Sequence, residues 1–376
     1  TSSQNAHVYL FDLSQLRTQA GVTPSTVPSG CSVQPIRNGA DFKVLACDTR
    51  IANSFVGNPS VVDWQLDFKS DAAYIGVVAS DAGKKNATNN SADSGALLKL
   101  DFSNSADMSG WTLNTFLKTN LPVSAQPLAG IDKKRHKWIY FGTGRYWNML
   151  DKLTADEHYL YGVKDPLATA EDKANAASTG AALPVLDADL LDVSGVDVYS
   201  DGALTSTVVG SSGTLTTFND LLGEAVNKAA GWKRKIPGLI SHASGAPSTR
   251  NLTRSALAGG VLFATVFQPS SNPCEGLGQS ALYGLDYRTG TANPKTLTLG
   301  TRTVYVNGAV RYLANAFVLL GSGSAGGISI SAGKDGGNNT VTVNTQLSTG
   351  SIEAIKAKTT EGVRSGRVSW EEDNMD

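Results

Sequence analysis

The sequence predicts an all-β protein of the β-propeller type, partial or modified, built from antiparallel meanders with one or two short helices inserted. Three observations point there. Apolar runs of strand length recur in pairs, as in "AYIGVVASD" before "ALLKLDFSNS" and "WIYFGTGRY" before "YLYGVKDP". Each pair has one form: a strand with an aromatic-x-Gly signature, a polar excursion, then a strand ending in an acidic residue and a turn. Glycine numbers 39 while charged residues are only 17% of the 376, a composition suited to many turns between extended strands. A single meander cannot cover both of its faces, so repeated meanders are expected to stack as blades of one domain over 1–376.

The elements follow in order. "HVYLFDLSQ", His7 to Gln15, reads as a finished strand and turn directly after six polar residues, so further chain is expected to precede Thr1. "ALYGLDYRTG" and "AFVLLGSGS" read as further half-copies of the repeat. The Ser/Gly/Asn tracts Asn86 to Ser94 and Gly321 to Asn339 read as hairpin loops. The basic runs "KKRHK" (Lys133 to Lys137) and "KRK" (Lys233 to Lys235) read as solvated hairpin turns. "DPLATAEDKANAAS", from Asp165, reads as a short helix or an inter-blade insertion. In "FNDLLGEAVNKAAGW", Phe218, Leu221, Leu222, Ala225, Val226 and Ala229 fall at helical spacing behind Thr217 as N-cap, which predicts a helix packed on the sheets.

Composition narrows the function classes. The formal net charge is −1 and no Lys/Arg stripe interleaves with aromatics, which argues against a nucleic-acid partner. No apolar run approaches the roughly 18–20 residues of a membrane-spanning helix. The low charge and abundant turns fit an exported, extracellular protein. Cys31 and Cys47 enclose 15 residues, and a disulfide closing that loop adds about 3 kcal/mol. Cys274 is left over, free or paired outside this sequence.

The stretch "SVVDWQLDFKSDAAYIGVV", Ser60 to Val78, places Asp63, Asp67 and Asp71 within nine residues between two strands. Three carboxylates so close repel unless something positive lies among them. Counted from Asp63 as position 1, oxygen donors fall at 1 (Asp63), 3 (Gln65), 5 (Asp67) and 9 (Asp71), with the Lys69 carbonyl at 7. A curled loop with that spacing turns successive oxygens inward toward a hard cation, and Ca²⁺ with six to eight oxygen ligands suits it better than Mg²⁺. Position 6, where the sharp turn prefers glycine, is Phe68, position 3 is Gln, and Tyr74 stands where a helix-loop-helix site has Glu. The competing reading is a solvated acidic turn.

Other chemistry is sparse. The four histidines, His7, His136, His158 and His242, have no metal-ligand spacing, and His136 and His158 read as structural. No G-x-S-x-G elbow is present. "GTGRYW" follows a strand without opening a helix, so it reads as a tight turn rather than a phosphate loop, with Tyr146 and Trp147 available to a recognition surface. Asp151, Asp156 and Glu157 are the acids a glycosidase reading would use. Sequons at Asn86, Asn251 and Asn338 matter only in a glycosylating pathway.

With these residues in view, the chain resembles the C-terminal propeller region of the PilC/PilY family of type IV pilus tip adhesin and biogenesis proteins. Four segments carry the resemblance, in order: the acidic loop and its strands from Val61 to Gly76; "IYFGTGRYWNMLD" through "YLYGVKDP", Ile139 to Pro166; "GGVLFATVFQPSSNPCEGLGQSALYGLDYRTG", Gly259 to Gly290; and "RVSWEE", Arg367 to Glu372. The resemblance implies a calcium loop ligated by Asp63, Gln65, Asp67, the Lys69 carbonyl and Asp71. It implies a non-enzymatic role at the pilus tip in biogenesis, calcium-linked extension or retraction, and adhesion to a host or abiotic surface. The implied partners are minor pilins and an N-terminal portion of the same protein that supplies the missing first blades. The alternatives are a propeller enzyme, either a quinone-dependent dehydrogenase or a glycosidase, and a generic exported interaction propeller.

Overall fold

The computed structural model describes residues 5–11, 31–35, 43–49, 51, 53–79, 95–102, 111–147, 151–152, 154–211, 213–240, 247–270, 278–335 and 338–363. These form an all-β structure of antiparallel sheets that follow one another along the chain. The first sheet joins β1 (His7–Phe11), β2 (Cys31–Pro35) and β3 (Lys43–Asp48) in the order β1-β3-β2. Cys47 is disulfide-bonded, and the backbone register of the β2/β3 ladder sets Cys31 opposite it. Cys274 lies outside the described residues.

The second sheet is a meander of β4 (Ser54–Val56) and β5 (Ser60–Val62), both on one edge of β6 (Ala72–Ala79), followed by β7 (Gly95–Asp101) and β8 (Thr112–Lys118). The third runs from β9 (Leu128–Ile131) to β10 (Lys137–Gly142) and β11 (Tyr159–Lys164). After β11 comes a long insertion containing α1 (Ala170–Thr179), β12 (Leu190–Asp192), a hairpin of β13 (Ala203–Gly210) and β14 (Gly213–Thr217), and α2 (Phe218–Asn227). β15 (Gly231–Lys235) then pairs with β11 and, in parallel, with β12. The fourth sheet is β16 (Ala256–Ala258), β17 (Val261–Gln268), β18 (Gln279–Asp286) and, after a hairpin of β19 (Thr301–Val306) and β20 (Ala309–Ala314), β21 (Phe317–Ser322). The fifth is β22 (Ala325–Asp335), β23 (Asn338–Leu347) and β24 (Ile352–Lys358).

Sheets two to four share one plan: a short edge strand, two long buried strands and an outer strand. The central strands β6, β7, β10 and β17 are buried along their whole length, which is why they read as continuous apolar runs rather than alternations. Neighbouring sheets share cores. Tyr74, Leu97 and Phe116 of the second sheet pack with Ile139, Phe141 and Tyr161 of the third. Trp138, Tyr140 and Trp232 of the third pack with Leu262, Tyr283 and Leu285 of the fourth, and Val261, Phe263 and Leu282 of the fourth with Val341 and Val343 of the fifth. Face-to-face stacking of consecutive meanders is the blade arrangement of a β-propeller.

Both helices start as their sequences dictate. Thr169 and Asp172 form a capping box on α1, which ends at Gly180 with φ 76°. Thr217 and Asp220 do the same for α2, which buries Phe218, Leu221, Ala225 and Val226. Lys133 to His136 of the KKRHK run form the predicted β9/β10 turn, with Arg135 at φ 65°, while Lys137 opens β10 and is buried rather than solvated.

Three expectations are corrected. KRK is not a turn: it lies within β15, where Arg234 is buried and donates to the Val196 carbonyl at 2.7 Å and to Asp197 at 2.8 Å. Period-2 placement puts the central Arg inside and the two Lys outward, a pattern that charge alone conceals. The stretch Gly321 to Asn339 is largely β22, whose Ile328 and Ile330 alternate with Ser329 and Ser331 and pack on the core. "AFVLLGSGS" is not a separate half-copy but the outer strand of the sheet that holds "ALYGLDY". The tract 86–94 lies outside the described residues. Among the described residues no helix is long and apolar enough to cross a membrane.

Candidate functional site

The acidic loop 63–71 is the connection of the β5/β6 hairpin, closed by the Asp71 amide donating to the Val62 carbonyl at 2.8 Å. Leu66 and Phe68 adopt φ 57° and 66°. The sharp left-handed turn expected at the glycine position is therefore made by Phe68, whose ring is fully exposed. The mutual repulsion of the carboxylates is met in large part by the loop's own N–H groups. Asp71, 4% exposed, accepts from the Trp64 amide at 2.6 Å, the Gln65 amide at 3.1 Å and the Gln65 Nε2 at 3.0 Å. Asp63 accepts from the amides of Asp67 at 3.2 Å and Phe68 at 2.8 Å, and Asp67 from the Lys69 amide at 3.0 Å.

The donor chemistry of Asp63, Gln65, Asp67, Asp71 and the Lys69 carbonyl is all oxygen and suits a hard cation. The arrangement does not gather it into a cage. Among the described residues no group of three or more His, Cys, Asp and Glu side chains lies at metal-binding distance. Asp71 is turned onto amides, while Asp63 and Asp67 keep lone pairs open toward solvent.

What sequence reasoning missed is the polar network beneath this loop. Trp64 is buried, and its indole donates to the Tyr74 hydroxyl at 3.2 Å. Tyr74 donates in turn to Asp165 at the end of β11, and burial followed by the Asp165 charge holds its phenol well above the usual range. Asp165 also pairs with Lys99 at 2.7 Å, and Lys99 donates to the Leu167 carbonyl at 2.7 Å and lies 3.7 Å from Asp101. Lys173 of α1 holds Asp101 at 2.9 Å. Asp101 and Asp165, which close two of the repeat units, are thus buried seam residues. Asp286 ends β18 in the equivalent place and pairs with Arg288 at 3.0 Å. The repeat itself was the available signal, since its acid recurs at strand ends that are otherwise apolar.

The GTGRY segment is a junction of three sheets. The Gly144 amide donates to the Pro122 carbonyl at 2.8 Å, and Arg145 pairs with Asp151 at 3.0 Å. A Cβ on Gly142 would lie 2.4 Å from Asn251. Arg250, 1% exposed, donates to the Arg145 carbonyl at 2.9 Å and the Asp151 carbonyl at 2.8 Å. Trp147 is half exposed and packs against Phe55 with ring centroids 4.4 Å apart and the planes tilted by 32°. The Trp232 ring fills a slot between Gly162 and Gly290, where added Cβ atoms would fall 2.5 Å and 2.4 Å from it. Its indole donates to the Tyr287 carbonyl at 2.9 Å.

Of the remaining candidates, His158 is buried beside Thr143 Oγ1 at 3.2 Å, and desolvation, with the Arg250 charge adding to it, lowers its pKa to about 3. His136 pairs with Asp132 at 2.8 Å. Glu157 is bound to Lys235. Asp156 is half-buried and its carboxyl is raised mainly by desolvation. Asn251 is 1% exposed and donates to the Thr265 carbonyl at 2.8 Å, which closes that sequon to modification.

No protein-family model matches this sequence, and no curated protein matches it. Among solved structures, the Pseudomonas aeruginosa PilY1 C-terminal domain is similar over 87% of this chain and 72% of its own, at 15% identity and a TM-score of 0.48. The native Bacillus subtilis arabinanase Arb43A is similar over 80% of this chain and 92% of its own, at 10% identity and a TM-score of 0.20. A Trypanosoma rangeli sialidase mutant displaying trans-sialidase activity is similar over 89% and 58%, at 9% identity and a TM-score of 0.23. At such values the functional reading rests on the residues themselves.

Proposed function

We propose that this chain is an exported β-propeller module of a type IV pilus-associated protein, without catalysis of its own, acting in pilus assembly and surface adhesion through contact with minor pilins. The observation that carries the reading is the ordered set of pilus-family segments, matched as a set rather than singly. The Trp232 slot needs Gly162 from the second segment and Gly290 from the third at once. The acids that end the matched strands, Asp165 and Asp286, are buried and paired. The fourth segment lies outside the described residues.

The finer part of the proposal is that loop 63–71 takes one Ca²⁺, with Asp63, Gln65, Asp67, the Lys69 carbonyl and Asp71 as its oxygen donors. At a hundredfold excess over Kd, an ion that binds only the folded chain adds about 2.7 kcal/mol. The decisive experiment for the module as a whole is affinity purification of the tagged, full-length protein from its own cell envelope. Minor pilin-like subunits are expected to co-purify. Recovery alone, or with unrelated partners, moves the chain to a generic interaction propeller.

The glycosidase reading keeps one foothold, the raised carboxyl of Asp156. Its neighbour Asp151 is committed to Arg145 and to the Trp147 amide at 2.6 Å. Glycoside turnover abolished by Asp156→Asn would replace the non-catalytic reading.

A further inference from the structure

The β19/β20 hairpin differs from the sheets around it in what it leaves uncovered. Its two-residue turn, Asn307 and Gly308 at φ 49° and 80°, matches the twist of antiparallel strands, and its ladder runs without a register shift from Thr301↔Ala314 to Val306↔Ala309. One face is tied down. Arg302 pairs with Asp197 at 3.0 Å and Arg311 with Asp201 at 2.7 Å, the Arg311 guanidinium lies 3.5 Å from the centre of the Tyr199 ring, and Leu313 is buried. Side chains alternate along a strand, so Thr303, Tyr305, Val310 and Tyr312 share the other face. There Tyr305, Val310 and Tyr312 are 78%, 52% and 54% exposed.

The two edges of the hairpin also differ. β20 is paired on its far side, where the Ser200 amide donates to the Tyr312 carbonyl at 2.8 Å and the Ala314 amide to the Val198 carbonyl at 2.9 Å. Tyr312 and Ala314 therefore turn their backbone groups away from β19. Their ladder partners Thr303 and Thr301, and Tyr305 in the same phase, turn theirs away from β20. Among the described residues, nothing pairs with the amides and carbonyls of Thr303 and Tyr305 on that side. An open edge recruits another strand unless something blunts it, and edges elsewhere in this fold are blunted: β8 and β21 by register shifts, β2 by Pro35 and β24 by Lys356 and Lys358. β19 has no proline and no bulge, and its one charge, Arg302, is on the far face with Asp197.

We propose that β19 is the edge through which two copies of this chain pair, antiparallel about a two-fold axis at Thr303, so that the two hairpins join into one four-stranded sheet. A second copy fits because the strand is complementary to itself. With Thr303 opposite Thr303 of the second copy, Thr301 meets Tyr305 and Arg302 meets Val304. Outward backbone groups then face outward backbone groups, and no like charges are opposed. Moving the axis to Arg302 would set two guanidinium groups opposite each other, which fixes the register. The inference is independent of the pilus reading.

The test is sedimentation equilibrium of the full chain from low to high micromolar concentration, where a reversible dimer is expected. Thr303→Pro removes an outward amide without touching the ladder to β20, and Tyr305→Lys places a charge on the edge. Each is expected to weaken dimerisation at least about tenfold, because the two-fold axis counts every change twice. Thr303→Cys, in a chain carrying Cys274→Ser, is expected to cross-link two copies on mild oxidation, since facing Cα atoms in a hydrogen-bonded pair lie about 5.5 Å apart, within disulfide reach. Asn307→Cys, at the turn, is expected not to. A parent chain that stays monomeric at the highest concentration overturns the proposal, as does a dimer that Tyr305→Lys leaves unchanged or cross-linking at Asn307→Cys as efficient as at Thr303→Cys. If Thr303→Pro does not melt cooperatively, Tyr305→Lys decides, its side chain being exposed already.

Discussion

Replacing Lys99 by Met tests whether the seam between the second and third sheets is held by its buried charges. Lys99 is 1% exposed, and its ammonium makes three connections: Asp165 at 2.7 Å, the Leu167 carbonyl at 2.7 Å and Asp101 at 3.7 Å. Methionine keeps most of the side-chain length, so little packing is lost. Asp101 keeps Lys173 at 2.9 Å. Asp165, by contrast, is left with the Tyr74 hydroxyl and the Leu167 amide at 2.8 Å, and the Leu167 carbonyl loses its ammonium donor. Removing one partner of a buried pair costs about 3–5 kcal/mol, because the remaining charge stays desolvated and uncompensated. Asp165→Asn is expected to cost somewhat less, since Lys99 retains Asp101. The double variant Lys99→Met/Asp165→Asn carries neither charge, so its cost should fall short of the sum by about 1–3 kcal/mol. Urea titration at neutral pH, followed by tryptophan fluorescence, reads the midpoint of each variant at constant slope. A Lys99→Met cost below about 1 kcal/mol, or strict additivity in the cycle, refutes the reasoning.

Three further outcomes follow from the geometry. His158 has a folded pKa of about 3 against an ordinary value near 6.5, so the folded state binds fewer protons. Its contribution is intact above pH ~6.5 and is lost as pH falls toward 3, at up to about 1.4 kcal/mol per pH unit; His158→Gln should flatten that limb of the stability profile, and an unchanged profile counts against it. In the acidic loop, Asp71→Ala should destabilise by about 1–3 kcal/mol with or without calcium, because buried amides lose their acceptor. Asp67→Ala should remove only the part of the melting temperature that responds to chelator, and no response to chelator in the parent protein would refute the calcium proposal. Gly162→Ala should cost about 1–3 kcal/mol through its 2.5 Å approach to Trp232, whereas Gly223→Ala, in α2 with nothing within 4 Å, should be neutral or stabilising; equal effects in equilibrium unfolding would rule out the slot.

The fold was legible where one signal dominated. Paired apolar runs gave the central strands, because strands buried on both faces need no alternation. Thr217 gave the start of α2, because a hydroxyl three residues before an acid satisfies orphan amides locally; the same box at Thr169 went unread. Local signals failed where tertiary context decides. Arg234 reads as surface charge, yet the Val196 carbonyl and Asp197 give it a buried berth contributed by residues nearly forty positions away. Gly321 to Asn339 reads as a loop by composition, while the Ile/Ser alternation within it marks a strand. In the candidate site, the loop's position on a hairpin was readable from its flanking strands. The commitment of Asp71 to the Trp64 and Gln65 amides was not, since a carboxylate aimed at a cation and one aimed at N–H groups have the same sequence.

That commitment has a structural consequence. Asp71 grips the amide of Trp64, and the Trp64 indole donates to Tyr74, which donates to Asp165, which pairs with Lys99 and so reaches Asp101 and Lys173 of α1. Every link in that series is a hydrogen bond or ion pair between buried or half-buried groups, and such groups do not slacken independently, because an unmade bond in a dry seam costs the full desolvation of the group left behind. Among the described residues, the exposed half of the loop, Asp67 to Ser70, has no such tether to the seam. Binding events that engage only Asp63 and Asp67 are therefore expected to order the loop tip and leave the seam unchanged. Those that draw Asp71 off the Trp64 amide must act on the contact between the second and third sheets, and only to the extent that the ligand favours one arrangement of Asp71 over the other.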